Sequence, residues 1–383
     1  MDAAEQAPAQ RVRTPAGDPA WQVSRYADVR SLLTDDRLGM SHPDPERASR
    51  LSQSPLFGGP RGDDPEAEHR GHSRMRRALS RSFAARRMET LRPRIQAIAD
   101  HLLDELARHE PPADLHEALS FPLPALVICE LLGVPFEDRD DFRVWSDDAG
   151  HLSDRPRAMA GLERLQAYMR DLVARKRAEP GEDVISDLIA ARDERGEFTE
   201  EEIVGLAAGL LFAGHETTVA AIDKGAALLL TEPEQRAALQ DGGPEVAARA
   251  VEEILRAPAP ILDARRRGPG GLPRYANTAL DVDGETVEAG DLVMLDLRAA
   301  NTDPAQFAEP GRFVVAREDN PHLAFGHGPH FCLGAPLARV ELQVVFGTLF
   351  RRFPTLRLAV APEELRPRTG LLTGGFEELP VAW

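Results

Sequence analysis

Apolar positions recur with helical spacing over most of the chain. The clearest case opens at Thr199-Glu200-Glu201-Glu202, which reads as a capping box with Thr at the N-cap and Glu at N3. The apolar run behind it predicts a helix to about Thr231, roughly 32 residues and about 48 Å at the usual rise. Over residues 204–221 that helix is apolar nearly all round, so it should lie buried at the centre of the molecule. Helical periodicity also covers residues 74 to about 109, 121–132, 156–177, 244–255 and 335–350, and short strand-like segments with glycine turns fill 275–297. The polar, Pro/Gly-rich stretch 42–71 is too long for an ordinary turn and predicts a functional loop. No repeat and no mid-chain linker interrupts the pattern. It predicts one domain over residues 1–383, mainly α with a minor β region late in sequence.

Composition narrows the classes. A hydrophobic fraction of 42% can supply a large core, and a net charge of -17 lacks the basic footprint of a nucleic-acid binder. Nearly all 46 basic residues are arginine, with lysine only at 176 and 224; a G+C-rich genome explains this better than function does. The two cysteines, Cys129 and Cys332, fit reduced thiols of a cytoplasmic protein better than a disulfide framework. Residues 1–18 are polar and alanine-rich, with no apolar signal region. The most apolar run, 203–222, contains His215, Glu216 and two threonines, so no membrane span is expected.

One segment carries distinctive chemistry: Phe325-Gly326-His327-Gly328-Pro329-His330-Phe331-Cys332-Leu333-Gly334. Its glycines let backbone approach something flat and large, and Cys332 stands at the mouth of a helix. Partial positive charge there stabilises a thiolate and lowers its pKa, which is what a haem iron needs of such a ligand. The pattern Phe-Gly-x-Gly-x-His-x-Cys-x-Gly resembles the haem-binding signature of cytochromes P450, with every fixed position present. The resemblance implies Cys332 as axial ligand to the metal, Phe325 as a ring near the sulfur, and Gly326, His330 and Gly334 among the cofactor contacts, His330 on a propionate.

Other motifs join it. Ala213-Gly214-His215-Glu216-Thr217-Thr218, on the long helix, resembles the family segment that crosses the distal haem face. Ala213 and Gly214 would make room for oxygen, and Glu216 with Thr217 would relay protons; His215 is read as packing. A helix bend from Thr217 bonding back to a carbonyl is the plainer reading of that threonine. A zinc site is excluded because His215-Glu216 lacks the second histidine of His-Glu-x-x-His. His72 and Arg76, one helical turn apart, resemble the family's propionate pair, and Arg274 another propionate arginine. Glu253, Arg256 and Arg312 resemble its structural Glu-x-x-Arg network, although an i, i+3 pair alone usually marks a solvated surface.

The resemblance spans residues 13–383 and implies the cytochrome P450 fold, haem b (iron protoporphyrin IX), O2 and a small-molecule substrate. It further implies electrons from a ferredoxin and its NAD(P)H-dependent reductase, and most commonly hydroxylation in natural-product tailoring. Oxidative coupling without oxygen insertion, or a non-catalytic haem-binding sensor, are the competing readings. The basic run Arg74, Arg76, Arg77 and Arg81, with Arg339 beyond the cysteine, predicts a positive patch that steers an acidic ferredoxin. Residues 257–271 are longer than the family usually has and carry Arg265-Arg266-Arg267; with 42–71 they should line much of the substrate pocket.

Overall fold

The computed structural model describes residues 9–54, 58–152, 154–263, 269–369 and 374–383. Helices α1 (Tyr26–Leu32), α2 (Pro65–Leu79), α3 (Ala85–Thr90), α4 (Arg92–Leu106), α5 (Pro122–Leu132), α6 (Arg139–Ala149), α7 (Arg155–Ala178) and α8 (Val184–Arg195) precede the long α9 (Glu200–Thr231). After it come α10 (Pro233–Asp241), α11 (Pro244–Arg256), the short α12 (Pro260–Asp263) and α13 (Leu297–Ala300), and α14 (Ala335–Arg352).

The capping box forms as expected: the Glu202 N–H donates to Thr199 Oγ1 at 3.2 Å, and the Thr199 N–H donates to the Glu202 carboxylate at 2.7 Å. Two of the helix's orphan donors are thereby satisfied. Behind it α9 runs 32 residues through the middle of the main core, packed by α5, α7, α11 and α14. Among the described residues it is also the one helix long and apolar enough to cross a membrane, and its burial is that of a core helix.

The helical stretch from residue 74 divides into the end of α2, then α3 and α4. The expected loop 42–71 is shorter than its composition suggests. Asp64 caps α2 by accepting the N–H groups of Glu66 (2.9 Å) and Ala67 (3.0 Å), and Pro65 takes the first helical position, so the helix absorbs residues 65–71. What remains of the loop is held in place. Tyr275 Oη donates to the Ser49 carbonyl at 2.6 Å, and the Gln53 N–H donates to the Leu152 carbonyl at 2.9 Å, beyond the end of α6.

The β portion is larger than the sequence implied, because its outer strands lie at the N-terminus. Strands β1 (Ala9–Arg13), β2 (Pro19–Val23) and β3 (Leu38–Gly39) join β5 (Leu272–Ala276) and β8 (Leu292–Leu295) in the order β1-β2-β8-β5-β3. The β2–β8 pair is parallel, with Trp21 opposite Val293, and the other pairs are antiparallel. Side chains alternate across this sheet: Trp21, Val23, Val293 and Leu295 enter one cluster, while Ala20, Tyr275, Leu292 and Met294 enter another. Strands β4 (Ala113–Asp114), β9 (Arg357–Leu358) and β10 (Pro380–Ala382) make a second small sheet, and β6 (Leu280–Val282) pairs with β7 (Glu285–Val287).

The segment leading to Cys332 is braced by a buried ion network. Arg256 Nε and Nη2 each lie 2.8 Å from Glu253 carboxylate oxygens, and both side chains are fully buried. The remaining Arg256 donors reach the carbonyls of Asn301 (3.0 Å), Pro310 (2.8 Å) and Arg312 (2.9 Å). The expected third arginine is corrected here. Arg317, not Arg312, closes the network, with Nε 3.1 Å from Glu253, whereas the Arg312 side chain is 63% exposed and pairs with Glu309. Arg312 contributes only its carbonyl.

Candidate active site

Cys332 is held by its own loop. Its N–H donates to the Phe325 carbonyl at 2.8 Å, and Gly326 (φ 73°) and Gly328 (φ 70°) supply left-handed turns that other residues resist. A side chain at Gly328 would meet Thr34 Cγ2 at 2.6 Å, and a Cβ at Gly334 would sit 4.0 Å from the sulfur. The cysteine is exposed, and it opens onto a cavity of about 430 Å³ lined by Arg76, Arg77, Phe83, Phe331 and Leu333. The net effect on its thiol differs from the helix-terminus expectation. Burial raises the pKa and prevails, although the N–H groups of Gly334 and Ala335 and the charges of Arg76 and Arg339 pull it down. A coordinated metal would drive the deprotonation that burial opposes.

Four of the predicted cofactor contacts converge. The rings of His72, on α2, and His330 are 4.0 Å apart, and Arg274, on β5, is buried with Nη1 on the Pro273 carbonyl (2.8 Å) and 3.3 Å from Met40 Sδ. Burial and the charges of Arg274, His72, Arg61 and Arg76 push the His330 pKa down to about 3. His72 is likewise lowered, by burial and then Arg76, and Arg274 by burial and then Arg61. Glu68, the carboxylate these groups feel, is committed to the N–H groups of Met40 and Ser41 at 2.8–2.9 Å. Crowding of Arg61, Arg76 and Arg274 around two histidines whose protonation they oppose is electrostatically unfavourable until an anion joins it, and the two carboxylate arms of a haem would answer that need. Arg76 is the partial exception, since its Nη1 donates to the Phe331 carbonyl at 2.9 Å.

On α9 the side facing open space is a stripe. Gly205, Gly209, Ala213 and Thr217 recur every four residues and are exposed, although the residues between them are buried or half-buried. Thr217 Oγ1 donates back to the Ala213 carbonyl at 2.8 Å, so the plainer reading of that threonine is correct for its hydrogen, while its oxygen stays accessible. Gly214 has a structural task of its own. A Cβ there would meet Ile128 Cδ1 at 2.7 Å, so the glycine serves close packing of α9 on α5.

Glu216 points away from the stripe. It is 4% exposed, with Oε2 3.8 Å from Arg368 Nη1 and Oε1 3.4 Å from His215 Nδ1. Arg368 in turn pairs with Asp147 of α6 at 2.6 Å. His215 is fully buried edge-on against Phe121 and Phe142, as its packing assignment requires. Sequence reasoning missed Arg61, Arg368 and Asp147, which are brought to the site only by the fold and carry no local signature. The expected basic patch is also thinner than its sequence run. Arg74 pairs with Glu202 and Arg339 with Glu252, leaving Arg77 and Arg81 as its exposed members. Arg265-Arg266-Arg267 lies outside the described residues.

The family model of cytochrome P450 matches residues 157–373. Pentalenolactone synthase of Streptomyces exfoliatus is 44% identical over 99% of this chain and 94% of its own length. Mycinamicin IV hydroxylase/epoxidase of Micromonospora griseorubida is 42% identical, over 99% and 93%. The solved structure of mycinamicin VIII C21 methyl hydroxylase MycCI, bound to mycinamicin VIII, matches with a TM-score of 0.87 at 38% identity, covering 99% of this chain and 94% of that one. The putative thioether synthase SgvP matches at 0.88 and 39%, again over 99% and 94%. A cysteine offered on a signature loop, a cationic cluster awaiting carboxylates and full-length kinship lead to one conclusion: the chain belongs to the cytochrome P450 family and is a monooxygenase.

Proposed function

We propose that the protein binds haem b, with Cys332 as axial ligand and His72, Arg76, Arg274 and His330 toward the propionates, and hydroxylates a small organic molecule in bacterial natural-product tailoring. Binding a propionate would draw Arg76 off the Phe331 carbonyl. The observation that carries the reading is the exposed Cys332 on its glycine-rich signature loop beside the cluster of His72, Arg274 and His330; Thr217, exposed on the open stripe of α9, is the candidate for the distal side. Relatives named as hydroxylases of mycinamicins support the tailoring role.

Bound haem supplies the activation of O2; the chain supplies ligand, space and protons. Ala213, small and exposed, keeps that side of α9 open. Thr217 Oγ1, donating to the Ala213 carbonyl, has lone pairs free to accept a hydrogen bond from a water and hold it in place; to pass a proton on, the hydroxyl would have to turn off that carbonyl and take a proton back from the water. Glu216 is the nearest acid in sequence, and its contact with Arg368, which in turn pairs with Asp147, links the back of α9 to α6. A relay through Glu216 therefore needs its carboxyl to swing, or a water to bridge around the helix.

Electrons would come from a ferredoxin and its NAD(P)H-dependent reductase in the cytoplasm, at the face where exposed Arg77 borders the cavity beside Cys332. Oxidative coupling has one specific support, the similarity to a putative thioether synthase. Turnover of a compound library with surrogate ferredoxin, reductase and isotopically labelled O2 separates the readings. Label in the product supports hydroxylation, an unlabelled coupled product supports the second reading, and haem retention with no NAD(P)H-driven turnover indicates a binder.

A further inference from the structure

The α14 residue Arg339 was expected at the surface, facing a redox partner. Its surroundings indicate another task. Arg339 Nε and Nη2 lie 2.7 and 2.8 Å from the two carboxylate oxygens of Glu252 on α11, a bidentate pair of the stronger kind. A third donor comes from the cysteine loop: His322 Nε2 is 3.0 Å from Glu252 Oε2. Its other nitrogen, Nδ1, accepts the Ala324 N–H at 3.2 Å, which leaves the Nε2 hydrogen to face Glu252. Beneath this clamp, the Arg339 guanidinium lies 4.7 Å from the ring centre of Phe325, and the His322 ring stands 6.0 Å from the same ring. Phe325 is the residue whose carbonyl receives the Cys332 N–H.

We propose that Arg339 and Glu252 are positioning residues whose opposed charges set the electrostatic potential at the Cys332 sulfur, and hence the reduction potential of the bound haem, through the Phe325 ring between them and the ligand loop. Glu252 restrains Arg339 on that ring and offsets most of its charge. Burial pushes the Glu252 carboxyl up, but Arg339 and His322 outweigh it and hold it at about 2, so the pair stays fully ionised at working pH. The side chains are 33% and 28% exposed, so water screens them only in part. The arrangement joins α11, the cysteine loop and α14. Reduction adds an electron to the ligand–metal unit; a cation nearby favours the reduced form and an anion opposes it.

The inference rests on Cys332 being the haem ligand, so the carbon monoxide spectrum of each holoprotein is recorded beside its potential. Arg339→Gln leaves the Glu252 carboxylate uncompensated and should lower the potential. Glu252→Gln leaves the guanidinium uncompensated and should raise it. Each shift is expected near a tenfold change in the reduction equilibrium, ~59 mV for a one-electron couple. The double variant should return toward wild type, and Arg339→Lys should keep most of the potential because it keeps the charge. Shifts in one common direction, or none while the thiolate band is retained, would mark the clamp as merely structural and overturn the proposal. Should Arg339→Gln fail to fold, Glu252→Gln alone must still raise the potential, and an unchanged or lower value overturns it. A wild type without the thiolate band overturns the underlying reading, and the proposal with it.

Discussion

Thr217 is the residue at which structure and proposed chemistry meet most closely, because its hydroxyl hydrogen is committed to Ala213 while its oxygen is accessible. Thr217→Ala should leave haem binding and the carbon monoxide spectrum unchanged, yet divert reducing equivalents from product to peroxide. Loss of general acid–base help is typically worth roughly 10²–10⁴-fold, less where a water replaces the hydroxyl. Product and peroxide per NAD(P)H decide it, and unchanged coupling would remove Thr217 from the mechanism. Two glycines of the same helix make a sharper stability contrast. Nothing lies within 4 Å of a Cβ at Gly209, whereas one at Gly214 meets Ile128. Gly209→Ala should stabilise the holoprotein by up to ~1 kcal/mol through helix propensity, and Gly214→Ala should cost about 1–3 kcal/mol through overpacking. Denaturant midpoints of the same sign would contradict this assignment of faces. Cys332 was legible in sequence because ligand chemistry demands its neighbours; the facing of Gly214 was not, because only the position of α5 decides it.

Among the elements, the segment from Asn301 to Asn320 is held by side chains rather than by secondary structure. Sequence pattern picked out Glu253 and Arg256, one helical turn apart, but placed the third arginine at Arg312 instead of Arg317. Both arginines stand in the same loop, and only the chain path decides which one turns inward. Arg317→Ala should destabilise by about 3–5 kcal/mol, the cost of leaving a buried carboxylate short of a partner, while Arg312→Ala should stay within about 0.5 kcal/mol. Equal losses on denaturation would restore Arg312 to the network. A second tether joins α9 to the C-terminal segment. His116 Nδ1 is 2.9 Å from Asp223, whose Oδ2 also accepts the Phe376 N–H at 3.1 Å. Burial depresses the His116 pKa, but the hydrogen bond and charge of Asp223 outweigh it, and the net value lies above 6.5. A raised folded pKa contributes stability that is complete below the unfolded value and lost as pH rises through the folded one. His116→Gln should therefore cost more stability at about pH 6 than at about pH 9. A cost that grows with pH would reverse the assignment.

For the whole molecule, the helical core was readable because α9, α7 and α14 are long and periodic enough to announce themselves, and α9 also carries its own cap. The N-terminal strands were not, since β1 and β2 are five residues each and become a sheet only when β8 arrives from more than 260 positions away. The cluster was legible in large part: His72 and Arg76 share a helix turn, and Arg274 and His330 were named by resemblance, whereas Arg61 joins them through tertiary structure alone. The net charge of -17 makes the exposed Arg77 and Arg81 a local exception, so reduction by an acidic ferredoxin should slow as the screening length falls from ~30 Å to ~8 Å between low and physiological salt. Rates indifferent to salt, and to Arg77→Glu, would place partner docking elsewhere. The central claim, a haem held through Cys332, is tested most directly by the reduced carbon monoxide spectrum of wild type, Cys332→Ala and Cys129→Ala. The account predicts the far-shifted Soret band of a thiolate-ligated haem in wild type and Cys129→Ala, and its loss in Cys332→Ala alone. A band that survives Cys332→Ala, or that disappears with Cys129→Ala, would contradict it.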